Sequence, residues 1–89
     1  MRFTWDESKR KVNLQQHGFD FVDAPSVFDG PTYSYEDDRF DYREQRFVTL
    51  GMLEGIVVSI VHTETPHLIR VLSFRRATKH EQTIFFSNI

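Results

Sequence analysis

Apolar and polar residues alternate along this chain with two periodicities, one typical of strands and one typical of helices. The triplet Phe3-Thr4-Trp5 alternates and predicts a short N-terminal strand. Asp6 is a suitable N-cap and Gly18 a suitable stop, so a helix is predicted over about Glu7 to His17. Because this helix has few apolar residues, we expect it to lie on the surface with one narrow contact stripe. The stripe would consist of Val12 and Leu14.

A second helix is predicted to follow Asp20, because apolar residues recur there on one helical face. These residues are Phe21, Ala24 and Phe28. Pro25 is expected to weaken the middle of this helix, and Gly30-Pro31 to end it. Residues 31–44 are polar and acidic and carry Tyr33, Tyr35 and Tyr42, so we interpret them as a loop with room for a short strand.

Three runs rich in β-branched and aromatic residues follow, at residues 45–52, 56–62 and 67–74. Short turns separate them and predict an antiparallel meander, and segment 56–61 is apolar on both faces, as expected for its central strand. Thr78 and Glu81 have the spacing of a capping box and predict a final helix over about residues 79–87. The order β-α-α-β-β-β-α predicts an α+β domain with a three- to four-stranded antiparallel sheet.

Length and composition narrow the classes of protein and of chemistry. A chain of 89 residues that is 39% hydrophobic supports one core, so residues 1–89 are expected to form a single domain. The absence of cysteine excludes disulfides, thiolate metal sites and a cysteine nucleophile. We find neither a signal peptide nor a run long enough to span a bilayer, and we expect a soluble, cytoplasmic protein with no membrane partner.

The sequence contains no motif for a metal ion or a cofactor, and we expect neither. The acidic stretch Glu36-Asp37-Asp38 with Asp41 lacks the glycine and the spacing of a calcium loop, and no histidine stands nearby. We interpret it as a solvated loop or as a docking surface for a basic partner. A phosphate-binding glycine-rich loop and a nucleophile elbow are also missing.

The formal net charge of −2 conceals an uneven distribution of charge. The block Lys9-Arg10-Lys11 is basic, and residues 65–80 carry three arginines and Lys79 with no acid, a sum of +4. Residues 20–44 carry eight acids against two arginines, a sum of −6. If the two basic segments meet in space, they form a positive face suited to nucleic acid.

Arg75 and Arg76 stand where the third run gives way to the capped helix. Neighbouring residues of a straight strand face opposite sides of a sheet, so this pair shares a target only if it splays at the junction. There it would lie near the N-terminus of the helix, which favours anions. The alternative is two solvated arginines at the end of a strand.

Arg70 and Arg46 are further candidates for binding phosphate, because a guanidinium stays charged and forks onto phosphate oxygens. Arg70 is expected to emerge between the apolar residues on its side of the strand or to find a partner. These neighbours are Leu68, Leu72 and Phe74. Arg46 opens the first run of the meander and could approach the same face. For both arginines the alternative is a salt bridge with an acid of the middle segment.

Lys9, Asn13 and His17 recur every four residues and form one polar ridge along the first helix. The alternative is an ordinary solvated face. His17 is a candidate acid or base, because imidazole titrates near neutral pH, and it could equally satisfy the C-terminus of the helix. The remaining histidines are interpreted as structural or surface residues, namely His62, His67 and His80.

Two segments of the chain resemble BrnT-type toxins. The first is the opening, with Trp5-Asp6, Lys9, Asn13 and His17-Gly18, and the second is Ser-Phe-Arg-Arg-Ala-Thr at residues 73–78. Further matching positions, in order along nearly the whole chain, are Phe3, Phe21, Ala24, Val27, Phe28, Asp29, Glu44, Arg46, Gly51, Arg70, Val71, Leu72 and Glu81.

Two positions depart from the pattern of this family. Phe74 stands where the family often has a small residue, and Phe85-Phe86 ends the last helix where many RelE-like relatives carry a tyrosine. The second departure shifts the expected chemistry away from a C-terminal phenol and toward the arginines.

The resemblance implies a RelE-like fold and a ribonuclease toxin of a type II toxin–antitoxin system that inhibits translation. It also implies a ribbon-helix-helix antitoxin of the BrnA type, with which the toxin represses its own operon by binding operator DNA. RNA would be the substrate, on or off the ribosome. The resemblance is also compatible with a toxin homodimer inside a heterotetramer with the antitoxin. Carried over residue by residue, the functional positions are Lys9, Asn13, His17, Arg46, Arg70, Arg75 and Arg76, with Glu81 as a helix cap. Lys79 is predicted, apart from the resemblance, as a further RNA contact.

RNA carries its own nucleophile, the 2′-OH, so cleavage without a metal ion needs only positioning, proton transfer and charge stabilisation. Arg75 and Arg76 are predicted to bind the scissile phosphate. Charge stabilisation and proton transfer are assigned to Arg70 or Arg46 and to His17 or Lys9. The alternative function is a non-catalytic module that binds RNA or the antitoxin and only modulates operator binding.

Overall fold

The computed structural model describes residues 1–39, 41 and 43–89, so Tyr42 of the tyrosine-bearing loop lies outside the described residues. The strands are β1 (Arg2–Thr4), β2 (Tyr33–Glu36), β3 (Phe47–Leu53), β4 (Ile56–Glu64) and β5 (Leu68–Arg76). The helices are α1 (Glu7–His17), α2 (Ala24–Asp29) and α3 (Lys79–Ser87), with a 3₁₀ turn at Phe21–Asp23. The predicted α+β class is confirmed, and β2 is the short strand for which the loop left room.

The strands form one five-stranded sheet in the order β1-β5-β4-β3-β2. β4 is the middle strand, as its two apolar faces predicted. β1 runs parallel to β5, whereas β5, β4, β3 and β2 pair antiparallel in turn. The predicted antiparallel sheet of three to four strands is present as β2 to β5, and the N-terminal strand β1 extends it to five strands by parallel pairing at the edge of β5.

The ends of α1 and α3 lie where the capping signals placed them. The Asp6 side chain accepts the Lys9 N–H, and Gly18, with a φ of +76°, ends α1 by donating its N–H to Leu14. Thr78 and Glu81 form both hydrogen bonds of the capping box at the start of α3. Short-range side-chain to backbone contacts thus define these helices.

Helices pack on both faces of the sheet. The 3₁₀ turn and α2 cover one side, here called the α2 face, whose core includes Val58, Ile60, Ile69, Val71 and Phe74. α3 covers part of the other side, here called the α3 face, where Val48, Leu50 and Val57 pack with Phe85. Each face therefore has its own core.

The pairing of β4 with β5 shifts register between Val61 and His62. Ile69 and Val71 face α2, and so does Phe74, although it lies three residues further on. A bulge of this kind adds one residue to a strand, so residues before and after it alternate between the two faces out of step. Arg70 therefore lies exposed on the α3 face, opposite to Phe74. The prediction that Arg70 shares its side with Phe74 is wrong for this reason.

α1 contacts the sheet through Asn13, which is only 6% exposed. Its Oδ1 accepts the Phe74 N–H at 3.0 Å, and its Nδ2 donates to the carbonyls of Phe74 and Phe19 at 2.8 and 3.0 Å. β1 pairs with β5 only up to residue 70, so this amide satisfies backbone groups on an edge that β1 does not reach. Val12 and Leu14 are 51% and 40% exposed, so the predicted apolar contact stripe is wrong.

α2 approaches β3 closely enough to require glycine at position 51. A Cβ on Gly51 would lie 2.6 Å from Val27 Cγ1, well inside van der Waals contact. Pro25 lies in the first turn of this helix, where a missing N–H costs no helical hydrogen bond. The prediction that Pro25 weakens the middle of a longer helix is wrong, since the helix begins only after the 3₁₀ turn.

His62 is a buried histidine on the α2 face, with an exposed fraction of 1%. Its Nε2 lies 2.7 Å from Thr49 Oγ1, which in turn lies 2.7 Å from Ser34 Oγ. The rings of Phe28 and Phe47 pack against the imidazole, with centroids 5.2 and 5.9 Å away. This burial lowers the pKa of His62, so the folded protein holds the neutral imidazole.

We therefore expect the protein to lose stability in mild acid through His62. The unfolded chain binds a proton below about pH 6.5 while the folded chain binds it only at lower pH, so the loss begins there, with a slope of at most about 1.4 kcal/mol per pH unit. Urea unfolding of the wild type and of His62→Gln, as a function of pH, measures this slope. The variant should lose that part of the pH dependence, and His67→Gln, which changes an exposed histidine, should keep it. Equal slopes in wild type and His62→Gln would contradict the assignment.

Candidate functional site

The α3 face of the sheet is left partly open beside α3, and cross-strand pairing aligns side chains there. Arg75 of β5 pairs with Ser59, Ser59 with Leu50, and Leu50 with Tyr33 of the edge strand β2. Paired residues of neighbouring strands point to the same side of a sheet. An arginine and a tyrosine from strands far apart in the sequence therefore lie in one row across this face.

Arg75 is fixed by a two-pronged ion pair with Glu81. Its two Nη atoms donate to the two carboxylate oxygens at 2.8 and 3.0 Å, and Nη1 also donates to the Arg76 carbonyl at 3.1 Å. The same carboxylate accepts the Thr78 N–H at 2.8 Å as part of the capping box. Glu81 thus joins the end of β5 to the first turn of α3, and it is both the predicted helix cap and the anchor of Arg75.

These contacts leave part of the Arg75 guanidinium available. A guanidinium has five N–H donors, of which Glu81 and the Arg76 carbonyl take three. Among the described residues, none accepts from the Nε–H or from the second Nη2–H. These two donors can bind two oxygens of one phosphate side by side.

The charge states of this pair are well defined. Burial pushes the pKa of Glu81 up, but hydrogen bonds from Arg75 and from the Thr78 backbone outweigh it and leave the pKa below its ordinary value. The hydrogen bond with Glu81 raises the pKa of Arg75 above its already high ordinary value. Both groups therefore stay charged at any pH at which the protein works.

A cleft of about 620 Å³ opens beside this ion pair. It is lined by Tyr33, Tyr35, Arg39, Arg75, Thr78, His80, Glu81 and Ile84. Its volume lies within the range of small-molecule and nucleotide sites. It combines two guanidinium groups, two phenol rings and an imidazole, and we call it the Arg75 cleft.

Arg39 reaches the Arg75 cleft from the segment that follows β2. Its Nε and Nη2 donate to the carboxylate of Asp37 at 2.8 and 3.0 Å. The Asp37 side chain is 1% exposed, whereas that of Arg39 is 63% exposed. A buried acid thus holds the guanidinium of Arg39, while most of the Arg39 side chain remains accessible to solvent.

Tyr33 and Tyr35 point to the α3 face because they are two residues apart in β2. Their ring centroids are 6.0 Å apart, with an angle of 40° between the planes. Burial, followed by the charge of Glu81, raises the pKa of Tyr35. The phenol of Tyr35 is therefore neutral at physiological pH and can donate a hydrogen bond.

The structure separates Arg76 from Arg75. Both belong to β5, which continues to residue 76, so their side chains alternate instead of splaying at a junction. Arg76 pairs with Val58 and lies beside Gln82 and Phe86, in a shallow hollow distinct from the Arg75 cleft. The prediction that the two arginines share one target is therefore corrected, because β5 continues through both residues and turns their side chains to opposite faces of the sheet.

Lys9 and His17 lie together, but away from the Arg75 cleft. Both line a depression of about 390 Å³ between α1 and the Leu72-Ser73 segment. Asn13 lies in the same depression, but it is buried with three hydrogen bonds to the backbone, so the prediction that it contacts RNA is wrong. The two basic segments therefore do not form a single pocket.

The other predicted cations occupy separate positions. Arg46 contacts Glu44 at 3.7 Å, which matches the salt bridge weighed as its alternative, and it lines a hollow formed by the acidic segment. Arg70 is exposed on the α3 face. Lys79 is exposed in the first turn of α3, next to Thr78 but outside the residues that line the Arg75 cleft.

Five residues that line the Arg75 cleft had no predicted functional role, namely Tyr33, Tyr35, Arg39, His80 and Ile84, and His80 was interpreted as a structural or surface residue. The alternation of the two tyrosines was a usable signal for a strand with an aromatic face. His80 follows the capping residue Thr78 closely, which places it in the first turn of α3. The position of Arg39 depends on the route of a loop and carries no comparable signal.

Within residues 1–39, 41 and 43–89, no group of three or more histidine and carboxylate side chains is arranged to hold a metal ion. Among the same residues, none of the helices is long and apolar enough to cross a membrane.

The fold and this cleft define a small α+β protein with a site that combines arginines and aromatic rings. The family model of the ribonuclease toxin BrnT, of type II toxin–antitoxin systems, matches residues 5–81. This match covers most of the chain, which therefore belongs to the BrnT toxin family, as its two signature segments predicted. No curated protein matched the chain. Membership implies ribonuclease activity and a protein antitoxin as partner.

Proposed function

We propose that this protein is an endoribonuclease toxin that cleaves RNA in the Arg75 cleft without a metal ion and thereby inhibits translation. The observation that carries the proposal is the Arg75 guanidinium, held by Glu81 with two donors left for a phosphate. Arg39 and the N-terminus of α3 add positive potential beside it. The lining of the cleft therefore carries two arginines against one acid, Glu81, and each arginine is ion-paired, Arg75 with Glu81 and Arg39 with Asp37.

The reaction uses the nucleophile that RNA itself provides. The 2′-oxygen attacks the adjacent phosphorus, the bond from phosphorus to the 5′-oxygen breaks, and a 2′,3′-cyclic phosphate and a 5′-hydroxyl result. The proton of the 2′-OH passes to a base, and the departing 5′-oxygen takes up a proton. Arg75 and Arg39 would stabilise the charge that develops on the phosphoryl oxygens.

His80 is the proposed proton-transfer group, because it is the imidazole that lines the Arg75 cleft. The sequence-based candidates, His17 and Lys9, line a different depression. Arg70, exposed on the α3 face, and Arg46, which lines the hollow of the acidic segment, are proposed to guide the RNA strand toward the cleft.

We further propose that the antitoxin is a ribbon-helix-helix protein and that the complex represses its own operon. The support is membership of the BrnT family, whose toxins act within type II systems. Mobility shift of operator DNA by the antitoxin, with and without this protein, tests the proposal. Equal binding in both cases would contradict co-repression.

The two adjacent arginines of β5 provide a matched test of the Arg75 cleft. Arg75→Gln should lower RNA cleavage by about 10²–10³-fold, the usual loss when one stabilising donor is removed. Arg76→Gln removes the same charge one residue away and should leave cleavage close to wild type. Induced expression followed by mapping of RNA 5′ ends measures both effects, including cleavage that needs the ribosome. Circular dichroism shows whether each variant folds, and a folded Arg75→Gln with full toxicity would overturn the site.

A second pair of variants separates the two histidine locations. His80→Ala should lower cleavage by about 10²–10⁴-fold, the range for loss of general acid–base catalysis. His17→Ala should have little effect, because its side chain lies at the α1 depression. The opposite ranking, with His17 essential and His80 dispensable, would move the chemistry to that depression. A protein that binds RNA but cleaves it in no variant would instead support the non-catalytic module.

A further inference from the structure

We infer that Tyr33 and Tyr35 form a stacking platform for one unpaired base of the RNA, next to the phosphate held by Arg75. The inference rests on the proposed function of the Arg75 cleft and extends it to the class of substrate. The substrate would be single-stranded RNA with at least one base free to leave its stack.

The geometry of the sheet places the platform at a suitable distance from Arg75. Tyr33 and Arg75 lie in one cross-strand row, separated by Ser59 and Leu50. Three steps between strands, each about 4.8 Å, put about 14 Å between the two backbone positions. Both side chains stand on the α3 face and line the same cleft, so a ligand in that cleft can contact both of them.

The rings of Tyr33 and Tyr35 differ in their contact with the hydrophobic core. Tyr35 packs against the cluster that contains Val48 and Leu50 on the α3 face. Tyr33 lies outside the members of that cluster and is partly exposed in the cleft. With its ring 6.0 Å from that of Tyr35, Tyr33 has a supported position and an accessible surface. Tyr33 would therefore contact the base, and Tyr35 would hold Tyr33 in place.

The chemistry of the cleft favours an unpaired base over other ligands. Every base has an aromatic face, and stacking on tyrosine requires that face to be free, which excludes a base inside a duplex. Arginines next to aromatic rings are the combination by which single strands are bound, through backbone charge and base stacking. The pair Arg75 and Arg39 supplies that charge.

The test is the binding of a short single-stranded RNA oligonucleotide that carries 2′-O-methyl groups throughout and so cannot be cleaved. Tyr33→Leu should weaken binding by about 5- to 100-fold, the usual effect of losing one base–aromatic stack. Tyr33→Phe keeps the ring and should bind like wild type. The same oligonucleotide without bases should bind the wild type and Tyr33→Leu equally. Phe86→Leu, which changes an exposed ring of α3 outside the cleft, serves as the matched control.

The outcomes separate this inference from the proposed nuclease activity. Equal affinity of folded Tyr33→Leu and wild type for the intact oligonucleotide would overturn the platform, whatever the cleavage activity. Weakened binding by Tyr33→Phe as well would also overturn it, because the hydroxyl and not the ring would then be the contact. A wild type that binds with this pattern but cleaves no RNA would leave the platform standing and refute the nuclease.

Discussion

The carboxylate of Glu81 is the contact on which the Arg75 cleft depends. It closes the capping box of α3 and at the same time holds both Nη atoms of Arg75. Without it, the helix would lose a cap and the guanidinium would lose its orientation. One acidic side chain therefore couples the direction of a helix to the position of a charge. It also explains how a cation can be held beside a sheet core without being left unpaired.

A second contact holds α1 at the edge of the sheet, away from that cleft. The amide of Asn13 bonds to Phe74 of β5 at the edge beyond β1, and so fixes α1 against the sheet. The register shift in the same strand then turns Arg70 toward the α3 face, on which Arg75 also lies. The arrangement of the cations follows from these backbone features more than from the spacing of the charges along the chain.

Local signals in the sequence predicted much of the fold but little of the cleft. The caps of α1 and α3 and the two-faced apolar run of β4 act over a few residues, so the pattern alone was sufficient for them. The parallel pairing of β1 was not predictable in this way, because it depends on contacts between distant segments. Arg75 was identified, but its separation from Arg76 depended on where β5 ends, and element boundaries are weakly encoded. Tyr33 entered the site only through cross-strand register, which no local signal specified.

The chemical nature of the RNA ends produced by the purified protein tests the central claim most directly. Free RNA and ribosome-bound RNA should be treated in parallel, in the presence of a chelator, together with a substrate that has a 2′-deoxy sugar at the mapped cleavage position. Attack by the 2′-oxygen at the Arg75 cleft predicts 2′,3′-cyclic phosphate and 5′-hydroxyl ends, and no cleavage at the deoxy position. Products with 3′-hydroxyl and 5′-phosphate ends, or continued cleavage at the deoxy position, would contradict the mechanism.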